Sequence, residues 1–300
     1  MTKTRILLFG ATGQLARELL AMSGDDFELM PVSRAMADFS DPQVPAKYLL
    51  SYPDCDLVVN ATGYTAVDKA EQEEGLATAV NGEAVGALAQ VCATRGVPLI
   101  HVSTDYVFDG SKSGAYVEDD PVGPLGAYGR SKLAGEELVR AALAEHVILR
   151  TSWVYSPYGA NFVKTMLRLG AEREELRVVD DQNGSPTAAG DIARAILKIA
   201  ARIRDGKAVW GTFHYCGEGV TTWRRFAEEI FAQARALGLP VKARVTPIPS
   251  SAYPTPATRP MNSALRCDKI CKAYDMELQP WPKALATVLL GIQQERSVQS

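Results

Sequence analysis

Apolar positions along the first half of the chain fall into short continuous runs separated by stretches of helical periodicity. Residues 5–10 (RILLFG), 27–33 (FELMPVS), 56–62 (DLVVNAT), 97–103 (VPLIHVS) and 146–152 (HVILRTS) read as strands. Helices are predicted over 14–22, 76–95 and 127–144. The strands are apolar throughout rather than alternating, so both faces of their sheet must be covered, which is the mark of a parallel sheet with crossover helices. Right-handed crossovers then make the expected fold α/β and doubly wound. Beyond about residue 150 the rhythm loosens: helices are predicted at 161–173, 188–204 and 222–237, with short strands at 177–179, 212–216 and 242–246. This half predicts a smaller α/β unit, 151–300, from which the chain is free to cross back to the first, 1–150. The proline-rich stretch 247–260 (PIPSSAYPTPATRP) excludes a helix or a central strand, and reads as an ordered loop rather than a linker.

Composition removes several function classes. With 300 residues, a net charge of −3 and a pI near 5.8, the chain has no basic surface that calls for nucleic acid or an acidic membrane. No apolar run reaches the roughly 18 residues that span a bilayer. The beginning, MTKTRILLFG, reads as a first strand and not as a secretory signal. Cys55, Cys92, Cys216, Cys267 and Cys271 are odd in number and lack zinc-site spacing, so reduced thiols in the cytoplasm are expected, with no metal.

The chemistry begins where the first strand ends. Gly10, Thr12, Gly13, Gln14 and Leu15 lie between strand and helix, in a G-x-x-G-x-x-A pattern closed by Ala16. Gly10 permits a tight turn, and Gly13 lets the backbone approach a pyrophosphate at the helix N-terminus. In this context the first unit, 1–150, is expected to bind a dinucleotide on a Rossmann-type sheet. After the second strand come Ser33 and Arg34, a hydroxyl and a cation suited to a 2′-phosphate, where NAD sites usually carry an acid. NADPH is therefore the expected reductant, with Asp38 softening the preference and NADH as the alternative.

The fourth strand runs into Thr104 and Asp105, at the end of the sheet where ligands of such folds bind. One helix later come Tyr128 and Lys132, four residues apart and so on one helix face. A lysine ammonium near a phenol lowers the tyrosine pKa from about 10. A tyrosine so tuned gives a proton to a carbonyl oxygen as hydride reaches the carbon, and a nearby hydroxyl shares the same oxygen. The Y-x-x-x-K spacing is common on helices by itself; its place after a glycine turn and a strand-end threonine is what points to hydride transfer.

At this point the chain resembles the extended short-chain dehydrogenase/reductases, and among them the dTDP-4-dehydrorhamnose reductase family. The likeness runs almost from end to end, through GATGQL (10–15), VVNATGYTAVDKAE (58–71), STDYVFDG (103–110), YGRSKLAGE (128–136), RTSWVY (150–155), NFVKTML (161–167), DDQNGSPT (180–187), TTW (221–223) and SAYPTPATRPMNSAL (251–265). The resemblance implies reduction of the 4-keto group of dTDP-4-dehydro-L-rhamnose, the last step of dTDP-L-rhamnose synthesis. It implies Tyr128 as proton donor, Lys132 as its partner and a holder of the nicotinamide ribose, and Thr104 as the assisting hydroxyl. It puts Ala61, Gly63, Tyr64 and Thr65 on the cofactor, Asp38 and Phe39 beside the adenine, and Asp105 and Trp153 around the sugar. Arg259, in a proline-braced loop, suits a diphosphate through bidentate hydrogen bonds. A homodimer is the protein assembly the resemblance points to. Some relatives pair subunits through magnesium bound by glutamates; here Glu18 is present but Gly190 stands where the second is expected, so no such metal is expected. Two other readings stay open: a non-catalytic NADP-binding regulatory subunit, which has no need of Thr104, Tyr128 and Lys132, and a sugar-nucleotide epimerase, which retains and recycles its cofactor.

Overall fold

A computed structural model describes residues 3–299. The first strands and helices alternate as β1 (Thr4–Phe9), α1 (Gln14–Met22), β2 (Phe27–Val32), α2 (Gln43–Ser51) and β3 (Leu57–Asn60). Then come α3 (Val67–Ala70), α4 (Glu74–Thr78), a π-helical turn (Ala79–Glu83), α5 (Ala84–Arg95), β4 (Leu99–Thr104), α6 (Ala127–Ala142) and β5 (His146–Thr151). The remainder holds β6 (Val154–Tyr155), α7 (Phe162–Glu172), β7 (Glu175–Val179), β8 (Asn183–Gly184), β9 (Thr187–Ala188) and α8 (Ala189–Arg204). It continues with β10 (Gly211–His214), β11 (Thr221–Thr222), α9 (Trp223–Ala236), β12 (Arg244–Ile248), α10 (Asp268–Tyr274) and α11 (Trp281–Gln299).

Six strands form one parallel sheet in the order β10-β5-β4-β3-β1-β2. Period-two alternation divides β1 between two cores. Ile6 and Leu8 pack with residues of α1 and α8 on one face, Leu7 and Phe9 with residues of α2 and α5 on the other. Burial on both faces is what the unbroken apolar runs require. β2 lies at the sheet edge, which is why it tolerates Pro31. The last strand of the sheet, β10, comes from the second half of the chain and pairs with β5. A separate core of Phe226, Phe231, Leu167 and Leu285 joins α7, α9 and α11 beside the two-stranded sheet of β7 and β12. The 247–260 stretch is an ordered connection that includes the last residues of β12 and a short 3-10 turn at Ser250–Ala252.

One predicted helix is corrected. Residues 76–95 were expected to be a regular helix, but the helical segment begins at Glu74 and widens into the π-turn at 79–83 before α5 continues it. The wide turn buries Asn81, whose amide bonds the backbone of Tyr64 at both ends. α6 is packed so tightly against this turn that a Cβ on Gly135 would lie 2.1 Å from the Asn81 carbonyl oxygen. Alanine at a helix interior is ordinarily worth nearly 1 kcal/mol over glycine. Here the clash reverses the sign: Gly135→Ala is expected to destabilise the fold by about 1–3 kcal/mol, read as a lower urea midpoint. An unchanged or higher midpoint would refute the tight packing.

Candidate active site

The carboxyl ends of β1, β3, β4 and β5 carry Gly10, Ala61, Thr104 and the Ser152–Trp153 step onto one side of the sheet. Gly10 has φ +90°, and a Cβ there would sit 2.9 Å from the Ala61 carbonyl carbon, so the turns after β1 and β3 touch through bare backbone. Gly13 is the N-cap of α1 and brings no side-chain cap, so the helix presents its first N–H groups and the positive end of its dipole at this turn. Thr12 is exposed beside it, and Leu15 is buried in the core. The Gln14 side chain turns the other way: its Oε1 accepts from Asn161 Nδ2 at 2.9 Å and Ser156 Oγ at 3.1 Å, tying α1 to the start of α7. These are the features a pyrophosphate requires of its cradle: a close-approaching backbone and unpaired donors.

Beyond β2, Arg34 donates from Nε to Asp38 Oδ2 at 3.1 Å, both exposed and following Ser33. The Ser40 backbone N–H, with Arg34, holds the Asp38 carboxyl below its usual pKa. Phe39 is buried, edge-on to Phe9 at 5.6 Å. After β3, Gly63, Tyr64 and Thr65 form a loop clamped by Asn81: Oδ1 accepts from Tyr64 N at 2.8 Å, Nδ2 donates to Tyr64 O at 3.1 Å and to Ser131 Oγ at 3.0 Å. A Cβ on Gly63 would lie 3.9 Å from Lys132 Nζ, so this loop and the lysine are neighbours.

Thr104, Tyr128 and Lys132 do converge. Thr104 Oγ1 donates to Asp105 Oδ1 at 2.9 Å, and its hydroxyl lies near enough to the Tyr128 phenol to act on that group's pKa. The expected lysine effect on Tyr128 is corrected, however. Burial pushes the phenol pKa well above its usual 10, Thr104 opposes this, and Asp105 and Tyr106 add to it. Lys132 makes its hydrogen bond elsewhere. It is buried, donates from Nζ to the Val102 carbonyl at 2.7 Å, and is held down to about 8 by burial, against which Glu136 acts. The i, i+4 step places both residues on one face, but the ammonium is engaged by the end of β4. Tyr128 therefore carries its proton at neutral pH, the state a proton donor needs.

Asp105 is buried beside them, and burial raises its pKa to about 6 although the nearby Ser263 and Thr104 hydroxyls oppose the rise. Its Oδ2 is buried with no hydrogen-bond partner. Trp153 adopts φ +46°, a left-handed backbone that a bulky residue takes only when its surroundings impose it. Its indole stacks on Trp223 at 3.6 Å and 9°. On the side of β8, a Cβ on Gly184 would come within 2.5 Å of the ring.

Arg259 completes the group. It donates from Nη2 to Asp68 Oδ2 at 2.9 Å and from Nη1 to the Tyr106 hydroxyl at 3.2 Å, and the Tyr106 ring meets Tyr128 edge-on at 5.9 Å. It borders a cavity of about 690 Å³ with an apolar wall of Phe162, Met166 and Leu176 and a polar side that includes Arg177 and Gln182. Sequence reasoning missed Asn81, Asp68, Arg177, Gln182 and Trp223 as parts of the site, and Glu71, whose Oε1 accepts from Ala127 N at 2.8 Å and caps α6. Asp68 and Glu71 lie in the recognised 58–71 segment, but no local pattern shows that they reach residues 191 and 56 positions away. Among the described residues no cluster of metal-ligating side chains occurs. Glu18 Oε2 lies 3.4 Å from where a Gly190 side chain would begin.

Gly184→Ala tests the Trp153 clamp. It is expected to displace the indole, abolish the circular-dichroism couplet of the stacked Trp153–Trp223 pair and destabilise the fold by about 1–3 kcal/mol; an unchanged couplet would show that the ring is not held there.

With this geometry established, comparison with known proteins is direct. The family model described as "RmlD substrate binding domain" matches residues 4–293. A dTDP-4-dehydrorhamnose reductase of Sinorhizobium fredii is 44% identical over 283 residues, covering 93% of this chain and 95% of its own. The crystal structure of a dTDP-4-dehydrorhamnose reductase from Clostridium acetobutylicum superposes with a TM-score of 0.88 at 35% identity, covering 96% of this chain and 99% of that one. That from Bacillus anthracis, solved in complex with NADP, gives 0.89 at 32% identity with the same coverage. The chain belongs to the dTDP-4-dehydrorhamnose reductase family.

Proposed function

We propose that this protein reduces the 4-keto group of dTDP-4-dehydro-L-rhamnose to dTDP-L-rhamnose, with NADPH as the preferred reductant and NADH as the alternative. The observation that carries this reading is the meeting of Thr104, protonated Tyr128 and Lys132 beside the Gly63 loop, next to a cavity bordered by Arg259. The Bacillus anthracis relative binds NADP, and the Gly10 turn with the open N-terminus of α1 fits the pyrophosphate of such a cofactor. When bound, the nicotinamide supplies the hydride. Lys132 and the 63–65 loop hold the ribose side, and Arg34 with Ser33 receives a 2′-phosphate in place of the Asp38 carboxylate.

On the substrate side, Arg259 and Arg177 offer planar donors to the diphosphate, and the apolar wall takes the base. Asp105 Oδ2 accepts a sugar hydroxyl and Trp153 covers the ring. As hydride reaches C4, negative charge grows on the carbonyl oxygen. The Thr104 hydroxyl, turned from Asp105 Oδ1, donates to that oxygen, and Tyr128 gives it a proton. The phenolate left behind is costly in so buried a place, which is why a cation one helical turn away matters.

Tyr128→Phe is expected to retain cofactor binding and lose roughly 10²–10⁴-fold in kcat, measured as NADPH oxidation at 340 nm with product identified by NMR. Near-normal turnover would remove Tyr128 from the mechanism, and absence of NADPH consumption by the wild-type protein would favour an epimerase or a binding subunit. The Lys132 ammonium is charged below its pKa of about 8 and neutral above it. kcat/KM is therefore expected to fall as pH rises through that value, and a flat profile from pH 7 to 9.5 would contradict the role of the charge. A third measurement concerns the cofactor: the ratio of kcat/KM for NADPH to that for NADH is expected to exceed one, and to fall in Arg34→Ala.

A further inference from the structure

Helix α6 carries Tyr128, Lys132 and Glu136 at successive four-residue steps, hence on one face. Glu136 touches none of the groups assigned to the reaction, yet it is fully buried and hydrogen-bonded at both oxygens. Oε1 accepts from Ser103 Oγ at 2.6 Å and Arg150 Nε at 2.9 Å; Oε2 accepts from Arg150 Nη2 at 2.7 Å and Arg140 Nη1 at 3.1 Å. Burial alone would raise its pKa, but Arg150, Ser103 and Arg140 outweigh this and keep the carboxyl ionised. Arg150 belongs to β5 and is itself buried, with its guanidinium over the Phe108 ring at 5.1 Å.

The position of Ser103 gives this carboxylate its meaning. Three consecutive residues at the end of β4 meet α6. Val102 accepts from Lys132, Ser103 donates to Glu136, and the Thr104 hydroxyl acts on the Tyr128 phenol. Other contacts also hold α6: Asn81 bonds Ser131, Glu71 accepts from the Ala127 N–H, and bare backbone lies close at two glycines, where a Cβ on Gly129 would run into the Tyr106 carbonyl oxygen and one on Gly135 into that of Asn81. Bare-backbone contacts set a distance but not a register, whereas a bidentate arginine–carboxylate pair is directional.

We propose that Glu136 is a positioning residue. Its carboxylate, pinned to β5 by Arg150 and to the end of β4 by Ser103, sets the register of α6 against β4 and so places the Tyr128 phenol and the Lys132 ammonium against Thr104. The proposal rests on the reading that these three residues carry the reduction.

Steady-state reduction of dTDP-4-dehydro-L-rhamnose by NADPH tests it in three variants, each assayed well below its Tm. Ser103→Ala cuts the link to β4 and leaves the Arg150 pair intact. It is expected to lower kcat roughly tenfold through misplacement of the reacting groups, with KM for both substrates and Tm close to wild type. Glu136→Gln leaves Arg150 poorly paired and lowers both kcat and Tm. The double variant Glu136→Leu/Arg150→Met replaces the pair by apolar side chains, a change that commonly preserves or raises stability. Its Tm is expected to recover while kcat does not. Wild-type kcat in Ser103→Ala, or in a stable double variant, would overturn the proposal and leave the pair as a fold element only. If the double variant does not fold, Ser103→Ala decides alone. Tyr128→Phe in the same assay separates the two levels: near-normal turnover there would overturn the site reading itself.

Discussion

A parallel sheet covered on both faces leaves its polar chemistry few places to be. Residues along β1, β3, β4 and β5 are buried almost without exception, so an uncompensated polar side chain within them is costly. Polar groups inside are bonded at close range in the pairs Asn60–His101 and Arg150–Glu136, while Thr151 Oγ1 and His101 Nε2 have no hydrogen-bond partner. Everything free to meet a ligand is pushed to the strand ends, and because the strands are parallel these ends lie on one side. The glycine turn, the 61–65 loop, Thr104, Asp105 and Trp153 share a location for this single reason.

The sheet alone places the pieces without aligning them. Alignment comes from side chains that reach between elements distant in sequence. Asn81 ties the Gly63–Tyr64 loop to Ser131 on α6, Glu71 caps the same helix, and Asp68 holds Arg259 from the far end of the chain. The π-turn that buries Asn81 costs regular helical hydrogen bonding, and such turns recur at functional sites because they re-aim one side chain without ending the helix. In the same way Trp153 is kept in a left-handed conformation by Trp223 and the bare backbone of Gly184.

Electrostatics in the buried site differ from a simple reading of the Tyr-Lys spacing. Proximity on a helix face was expected to depress the phenol pKa, but desolvation prevails and raises it. The lysine is the group pulled toward neutrality; its Nζ donates to the Val102 carbonyl, and the Glu136 charge opposes the shift from a distance. A high phenol pKa keeps the proton in place until charge develops on the carbonyl oxygen, so the donor is matched to its acceptor at the moment of transfer.

By itself the sequence determined the strands of the first half and the helices after the first and fourth of them, though not α2 or α3, together with the parallel sheet, the glycine turn and the candidate trio Thr104, Tyr128 and Lys132. Those are local or periodic signals, written in apolar runs, in Gly10 and Gly13, and in a four-residue helical step. It also carried the family, through segments such as 180–187 and 251–265 that follow no helical or strand periodicity. What only the tertiary structure decided was long-range. β10 returns to pair with β5, Asp68 meets Arg259, Trp223 backs Trp153, Glu136 pairs with Arg150, and burial reverses the pKa shift of Tyr128. Spacing along a chain reports which side chains share a face; which groups lose their water and which partners replace it depends on how the faces close on one another.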